Sequence, residues 1–502
     1  MTTVPRVLST MSFGALAARF RASAPLLAVF VWQVAGSLRL KNTAFQDEAL
    51  YLYAGREITN HVVDGAPLLD HFERYFSGVP SLYPVLAHAL DSWGGLAAAR
   101  LLSLACTLIA TMFVYLTTAR LFDRRAATVA AVFFGSACPI LFIGHLATYD
   151  ALCVMLLAAA TYLAVRAARG KSMWLVLSVG PVLVLAAAVK YAGILYAPSV
   201  FALLGFEAHR HGGRRTVFFR VAAAIVGMIF AFAIAFQLIG VDATTGLAFS
   251  TTNRTAIVNA SAQTLLLKSA IFIGPLVVLG IVAVLMRPHR RRPLLIMLLL
   301  TGLLAPAYHV YKGEEVSLHK HVGFGLLFLA PLAGLGVSRV LRDRRLGAPG
   351  TRLALVSSLC VAVAGTGLAQ SNNLYRQWLP SDAMVDALRT QIHPQSSRLL
   401  VEDVEVARYY LADLSSPWQW TGLDFFEYRD AAGNYLTGAP AYRSAIKAGY
   451  FDLVALRYAP RAVSATDIDQ DLRSGGGYTF LGTVPYGSPD SGVKYFLWRR
   501  GA

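Results

Sequence analysis

Charge is what this sequence has least of. Asp, Glu, Lys and Arg make up 15% of its 502 residues against 56% hydrophobic residues, and the mean hydropathy is +0.53. A soluble chain of this length needs far more charge to cover its surface, so the composition excludes a purely soluble protein and implies a polytopic membrane protein. Cysteine is scarce too. The four residues, Cys106, Cys138, Cys153 and Cys360, lie within apolar runs, where a thiol acts as a small hydrophobe, and neither a disulfide framework nor a zinc spacing is present. There is no internal repeat of the kind that marks a transporter built from two halves. Arg6, Arg19 and Arg21 precede the first apolar run, and no clean small-residue cleavage site follows. The expectation is a retained first span, not a removed signal peptide.

What is present is apolar sequence in long runs. Taking roughly 20 residues per span and tolerating shorter ones, about eleven segments qualify. They are Ala24–Leu40, Leu96–Leu116, Ala127–Ile143, Ala151–Val165, Met173–Val189, Tyr191–Phe206, Val217–Ile239, Leu265–Met286, Pro293–Val310, Val322–Val340 and Leu353–Leu368. The formal net charge of +17 could suggest a nucleic-acid partner, but the basic residues cluster in alternate connections. These clusters are the N-terminus, Arg120/Arg124/Arg125, Arg166/Arg169/Lys171, Arg210/Arg214/Arg215/Arg220, Arg287/Arg290/Arg291/Arg292 and Arg339/Arg342/Arg344/Arg345. Such a pattern is a topology signal: those connections and the N-terminus are expected in the cytoplasm, and no nucleic acid is expected to bind.

The other connections are then expected outside. They are the long loop 41–94, the turn Gly144–Asp150, the point around Lys190, the loops Val241–Thr264 and Tyr311–His321, and everything after Gln370. The first of these contains LLDHFERYF and VPSLYPVLAHAL, whose aromatic residues interleaved with charge suit helices in the headgroup layer. After residue 370 apolar runs shorten and turn signals appear. Residues 1–370 are therefore expected to form a transmembrane domain and 371–502 a small extracytoplasmic α/β or α+β domain. In the latter, helices are expected from Ser381 to Gln391, at Val404–Leu411 and at Ala441–Lys447. Strands are expected at Arg398–Glu402, Asp452–Arg457, Tyr478–Val484 and Val493–Trp498.

Polar residues collect at the expected outer edge. NTAFQDEALYLYAGRE, residues 42–57, puts Asp47 and Glu48 side by side at the mouth of the first span. One carboxylate can take a proton from an attacking hydroxyl while the other orients a partner; hydrated loop charges are the alternative. Asp150 opens the fourth span in HLATYDALCV, as a functional acid or as an ordinary acid at a helix N-terminus. Arg100, in GGLAAARLLSL, and Lys190, in AAAVKYAGILYAP, could each hold a lipid phosphate or only snorkel to the headgroups. YKGEEVSLHKH brings together Lys312, Glu314, Glu315, His319, Lys320 and His321. No HExxH is present and the histidines are not spaced for a helical metal motif, so no cofactor is expected, though a divalent metal stays open.

The Asp-Glu opening of the outer loop, the second acid in LATYDAL and the Lys-Tyr-x-Gly-x-Leu segment together resemble the GT-C superfamily of membrane glycosyltransferases. Within it they are most similar to the protein O-mannosyltransferase and lipid A aminoarabinose transferase group, over about the first 340 residues. The resemblance implies a GT-C-like catalytic region in the cell membrane, a polyprenyl-phosphate-linked sugar donor, and a glycan, lipid or protein acceptor activated by Asp47. Glu48 and Asp150 would orient acceptor and donor, and His319, Tyr149 and Tyr53 would contact substrate. The chain departs from its relatives at Leu50 and Gly78-Val79-Pro80, where they carry phosphate-binding cations. Arg74, Arg100, Lys190 or Lys320 would have to replace these. A transporter or flippase for a lipid-linked glycan is the alternative; it needs polar or broken helices at the bilayer midplane, whereas these polar residues gather at one edge.

Overall fold

The computed structural model describes residues 13–74, 76–239, 246–248, 258–286, 291–394, 396–423, 426–459, 465–474 and 477–501. Arg6, Arg287, Arg290 and most of the expected loop 241–264 lie outside them, as do the side chains of Arg19, Arg21 and Arg74.

Each of the eleven apolar segments falls on helix. The helices are α1 (Phe13–Ser37), α2 (Gln46–Asp64), α3 (Tyr83–Leu121), α4 (Arg124–Ser136), α5 (Cys138–His145), α6 (Tyr149–Ala167), α7 (Met173–Leu177), α8 (Val179–Val189), α9 (Ala197–Ile239), α10 (Ala262–Leu285), α11 (Arg292–Gly302), α12 (Leu304–Lys312), α13 (Leu318–Val340) and α14 (Pro349–Arg376). Among the described residues six helices are long and apolar enough to cross a membrane, or up to eight when the bent pairs α4/α5 and α11/α12 each count as one span. The chain is a polytopic membrane protein. The count falls short of eleven because α1 and α7/α8 present only short apolar stretches and because α9 joins two expected segments. Gly213, at φ 70° in the HRHGGRR run, interrupts α9 between those two segments, a backbone conformation that glycine adopts without steric cost.

Helix α13 is the axis of the bundle. Every residue from Val322 to Ser338 is buried, and its glycines let neighbouring backbones close in. A Cβ at Gly325 would lie 2.4 Å from the Gly302 carbonyl oxygen and one at Gly334 2.5 Å from that of Ala126. Small residues at such crossings are how membrane helices gain packing when lipid removes the hydrophobic drive. Helices α9, α10 and α14 instead turn most of their apolar surface outward, as lipid-facing helices do.

The two ends of the bundle differ chemically. At one end Arg169 bonds Glu207 and the Arg120 carbonyl, Arg220 bonds the Ala167 and Gly170 carbonyls, and Arg342 pairs with Asp123 at 2.9 Å. Four of the basic clusters thus meet there. The opposite end carries α2, Asp150, Lys190 and Lys320.

Two expected loops are largely helical. The expected loop 41–94 contains the nineteen-residue α2 and the first turns of α3, which breaks at Gly94 and Gly95 before entering the bundle. Among the described residues of LLDHFERYF, Phe72–Arg74 forms a single 3-10 turn. The expected loop Tyr311–His321 shrinks to a turn between α12 and α13, with Gly313 and Ser317 in left-handed conformations. His319, Lys320 and His321 consequently sit in the first turn of α13.

Beyond α14 the chain forms α15 (Asp382–Arg389), α16 (Val404–Tyr410), α17 (Ala439–Lys447) and α18 (Ala465–Arg473) around a five-stranded mixed sheet ordered β2-β1-β5-β7-β6. Its strands are β1 (Leu399–Val401), β2 (Trp420–Thr421), β5 (Leu453–Leu456), β6 (Tyr478–Pro485) and β7 (Lys494–Arg500). A short hairpin of β3 (Glu427–Arg429) and β4 (Tyr435–Thr437) stands apart. The central strands β1 and β5 are buried throughout, with apolar clusters around Leu399 and Leu453 on one face and around Leu400 and Val454 on the other, as expected of strands covered on both faces. Helix α14 runs through the expected boundary at 370 to Arg376.

Candidate active site

Helix α2 lies between the bundle and the C-terminal part. At its start Glu48 is fully buried and both its oxygens are engaged. Oε2 accepts from the Phe45 amide at 2.8 Å and from Arg100 Nη2 at 2.7 Å; Oε1 accepts from Arg100 Nε at 2.8 Å and from the Ala147 amide at 2.7 Å. Arg100 also donates through Nη1 to the Asn42 carbonyl at 3.1 Å and through Nη2 to the Thr43 carbonyl at 3.3 Å. This fork-to-fork pair ties α2 to α3 and to the turn before α6. Both Glu48 oxygens are taken up in this clamp, and Arg100 gives four of its five donors to protein groups.

From the other side α16 holds the same segment. The Ala44 amide donates to Tyr410 Oη at 2.8 Å, Tyr409 donates to Asp91 at 2.7 Å, and Arg408 pairs with Asp70 at 2.8 Å. The Arg408 guanidinium also lies 5.2 Å from the Tyr53 ring centre. Tyr53 therefore faces α16, and burial pushes its phenol well above the usual range. Asp47 and Tyr53 are not on one face of α2, because positions six apart on a helix point to different sides.

Asp47 points the opposite way, half-exposed, and pairs with the buried Lys320 of α13. Lys320 is in turn within electrostatic range of Asp150 at the start of α6, and Asp150 pairs with the buried Lys190. Acid and base thus alternate through Asp47, Lys320, Asp150 and Lys190. Aromatic rings frame them: Lys190 Nζ stands 4.9 Å from the Tyr149 ring centre and Lys320 Nζ 5.4 Å from that of Phe45. Tyr149 packs at 4.5 Å on Tyr51, one turn beyond Asp47. Tyr51 was missed in the sequence, although its i+4 spacing from Asp47 was a signal. Burial, with Tyr149, Asp47 and Asp150 nearby, raises its phenol far above the usual range, so it keeps its proton and has an O–H to offer in a hydrogen bond. His319 packs edge-on against Phe142 at 4.8 Å, and its Nε2 has no hydrogen-bond partner among the described residues.

Lys190 owes its position to the backbone. It closes α8 in extended conformation, and residues 77–79 are stitched alongside: the Val79 amide donates to the Ala188 carbonyl at 2.7 Å and the Tyr191 amide to that of Ser77 at 2.8 Å. A Cβ at Gly78 would lie 2.1 Å from the Val189 carbonyl oxygen. No side chain fits at residue 78 in this arrangement, which packs on the extended turn that carries Lys190.

A cavity of about 180 Å³ opens beside Lys190, mainly apolar, between residues 191–196 and the α12/α13 turn. Lys312, Glu314, His309 and His321 stand at its polar side; His309 and His321 are hydrogen-bonded at 2.8 Å. Among the described residues no three His, Cys, Asp or Glu side chains converge on a point suited to a metal ion.

Residues 87–239 match the family model described as dolichyl-phosphate-mannose-protein mannosyltransferase. That stretch holds Arg100, Asp150 and Lys190, while Asp47 and Lys320 lie outside it. Among solved structures the chain is similar to ArnT from Cupriavidus metallidurans in the apo state, with TM-score 0.60 and 15% identity over 97% of this chain and 98% of that one. The same protein bound to undecaprenyl phosphate gives TM-score 0.58 and 14% identity over 96% and 98%. AglB, the oligosaccharyltransferase from Archaeoglobus fulgidus, in complex with an inhibitory peptide and a dolichol-phosphate, gives 0.55 and 13% over 87% and 69%. No curated protein matches the chain. At these identities the likeness is one of architecture, and the resemblance read from the sequence holds at that level. The chain therefore has the fold that ArnT and AglB share.

Proposed function

We propose that the chain is an inverting glycosyltransferase that moves a sugar from a polyprenyl-phosphate donor to an acceptor hydroxyl at the outer face of the membrane. The observation that carries this is the alternating series Asp47, Lys320, Asp150, Lys190 beside a mainly apolar cavity. ArnT, whose fold this chain shares, has been solved with undecaprenyl phosphate. In our reading the prenyl chain lies along Ile194 and Leu195 with its phosphate at Lys190, and the sugar points toward Asp47. Asp47 takes the acceptor proton as the acceptor oxygen attacks the anomeric carbon. The bond from that carbon to the phosphate oxygen breaks, and the electron pair leaves with the phosphate. Lys190 and Lys320 meet the charge that develops there, in a site dry enough to strengthen the interaction. A single displacement of this kind inverts the anomeric centre. The half-exposed Asp47 then returns its proton to water. Residues 1–376 would form the catalytic membrane region, and the part that follows would stand outside as a separate domain.

Lys190→Ala tests the phosphate role. With donor-dependent transfer measured on correctly inserted full-length protein, we expect a loss of about 10-fold or more, the scale of one charge-assisted hydrogen bond. Lys41→Ala, an exposed control on the same side, should transfer normally. Near-normal transfer by Lys190→Ala would leave Lys190 as only the structural partner of Asp150 and shift the phosphate to Lys320.

Orientation has its own test. The basic end of the bundle is expected in the cytoplasm, with the N-terminus on that side and the C-terminal part outside. Reporters fused after Arg376, where α14 ends, should be active only outside the cytoplasm. Cytoplasmic activity would place the Asp47 end on the wrong side for a lipid-linked donor in the outer leaflet.

A further inference from the structure

We propose that the C-terminal part carries a second carbohydrate site, a cleft for an acidic sugar chain, distinct from the transfer site. The cleft measures about 720 Å³, within the range of ligand-binding pockets. It lies at the end of the sheet where β1 and β5 begin and β7 ends, at Arg398, Asp452 and Arg499. The other end of β1 leads into α16, which packs on α2, so the cleft faces away from the membrane bundle.

Its chemistry is that of a saccharide subsite. Trp418 presents an indole that is 48% exposed, a flat apolar face of the kind on which sugar rings stack. The turn carrying it is fixed from beneath by buried Gln419. The Gln419 side chain accepts from the Ser416 amide at 2.8 Å and donates to the Ser397 carbonyl at 2.8 Å and the His393 carbonyl at 3.3 Å, joining both walls of the cleft. That cross-tie sets the indole in place before any ligand arrives, which lowers the ordering cost of binding.

The charges around Trp418 select the sign of the ligand. Asp452 neutralises Arg500, which also donates to the Gly449 carbonyl at 2.6 Å. Arg398 lies over the Tyr450 ring at 4.3 Å and Arg499 bonds the neutral Gln391. Among the described residues neither Arg398 nor Arg499 has a carboxylate partner. Two guanidinium forks beside an aromatic platform match a sugar that carries carboxylates, because a fork binds a carboxylate through two parallel hydrogen bonds. A neutral glycan would leave both charges unanswered. The cleft does not depend on the transferase reading.

The test uses the full-length protein in lipid nanodiscs with three probes: a tetramer of α-1,4-linked galacturonic acid, neutral maltotetraose, and inorganic phosphate. We expect the uronate to bind, and Trp418→Ala and Arg499→Ala each to weaken it at least 10-fold. Trp418→Phe, which keeps a ring, should stay within a few-fold of the parent and shows that the fold survives a change there. Maltotetraose and phosphate should not compete. Asp47→Asn should bind the uronate normally while losing transfer, so that failure at the cleft and failure of the transferase reading are told apart. Undetectable uronate binding, binding indifferent to Trp418→Ala, or equal competition by phosphate would overturn the proposal, the last two by leaving only a basic patch.

Discussion

Asp47→Asn is expected to lower transfer by about 100-fold or more, the lower end of what a positioned general base contributes, with donor affinity largely kept. The substitution preserves shape and removes the one carboxylate at the site that is both half-exposed and free of backbone donors. It also releases Lys320, whose ammonium then turns to Asp150 or to the donor phosphate. The effect should therefore fall on kcat and not on donor KM. Steady-state kinetics with donor and acceptor varied separately checks this. An Asp47→Asn protein with ordinary turnover would end the assignment of the base and, with it, the proposed reaction. Glu48→Gln supplies the contrast: whatever turnover it loses should track lost protein stability.

That contrast is the second large effect. Glu48→Gln should destabilise the protein by about 3–5 kcal/mol, because it leaves Arg100, 12% exposed, as an uncompensated charge in a nearly dry site. A double variant with Arg100→Met should recover much of the loss, since removing both charges removes the unpaired one as well. Thermal unfolding of the purified chain in one detergent, parent against single and double variants, measures both steps. Parent-like melting of Glu48→Gln would overturn the clamp and return Glu48 to the role of orienting acceptor or donor.

How far the sequence could be read depended on whether a residue's role is local. The apolar segments were legible because lipid demands long uninterrupted runs. Asp47, Asp150, Lys190 and Lys320 were legible because charge is rare in such surroundings, and the structure gathers all four at one end. The pairing of Glu48 with Arg100 was not legible because the partners are 52 residues apart, and nothing in either neighbourhood announces the other. The packing of Tyr53 on α16 was not legible without α2: its buried positions surround the helix on several sides, between bundle and α16, so no one-sided stripe marks it. The strands β1, β5, β6 and β7 were found from apolar runs and turns, while β2, β3, β4 and α18 are too short or too polar to stand out.

The clamp on α2 from both sides bears on the order in which the protein is made. Asp47 meets Lys320 across 273 residues of chain, and Ala44 meets Tyr410 across 366. At a synthesis rate of roughly 5–20 residues per second, Asp47 waits on the order of tens of seconds for its ammonium partner. The segment before it waits longer still, until α16 has emerged. During that interval the acid stands in a half-built bundle with neither neighbour in place. A ribosome that stalls before residue 320 leaves behind an inserted chain without this charge series, which comes into being only as the last membrane helices and the first turns of the C-terminal part arrive.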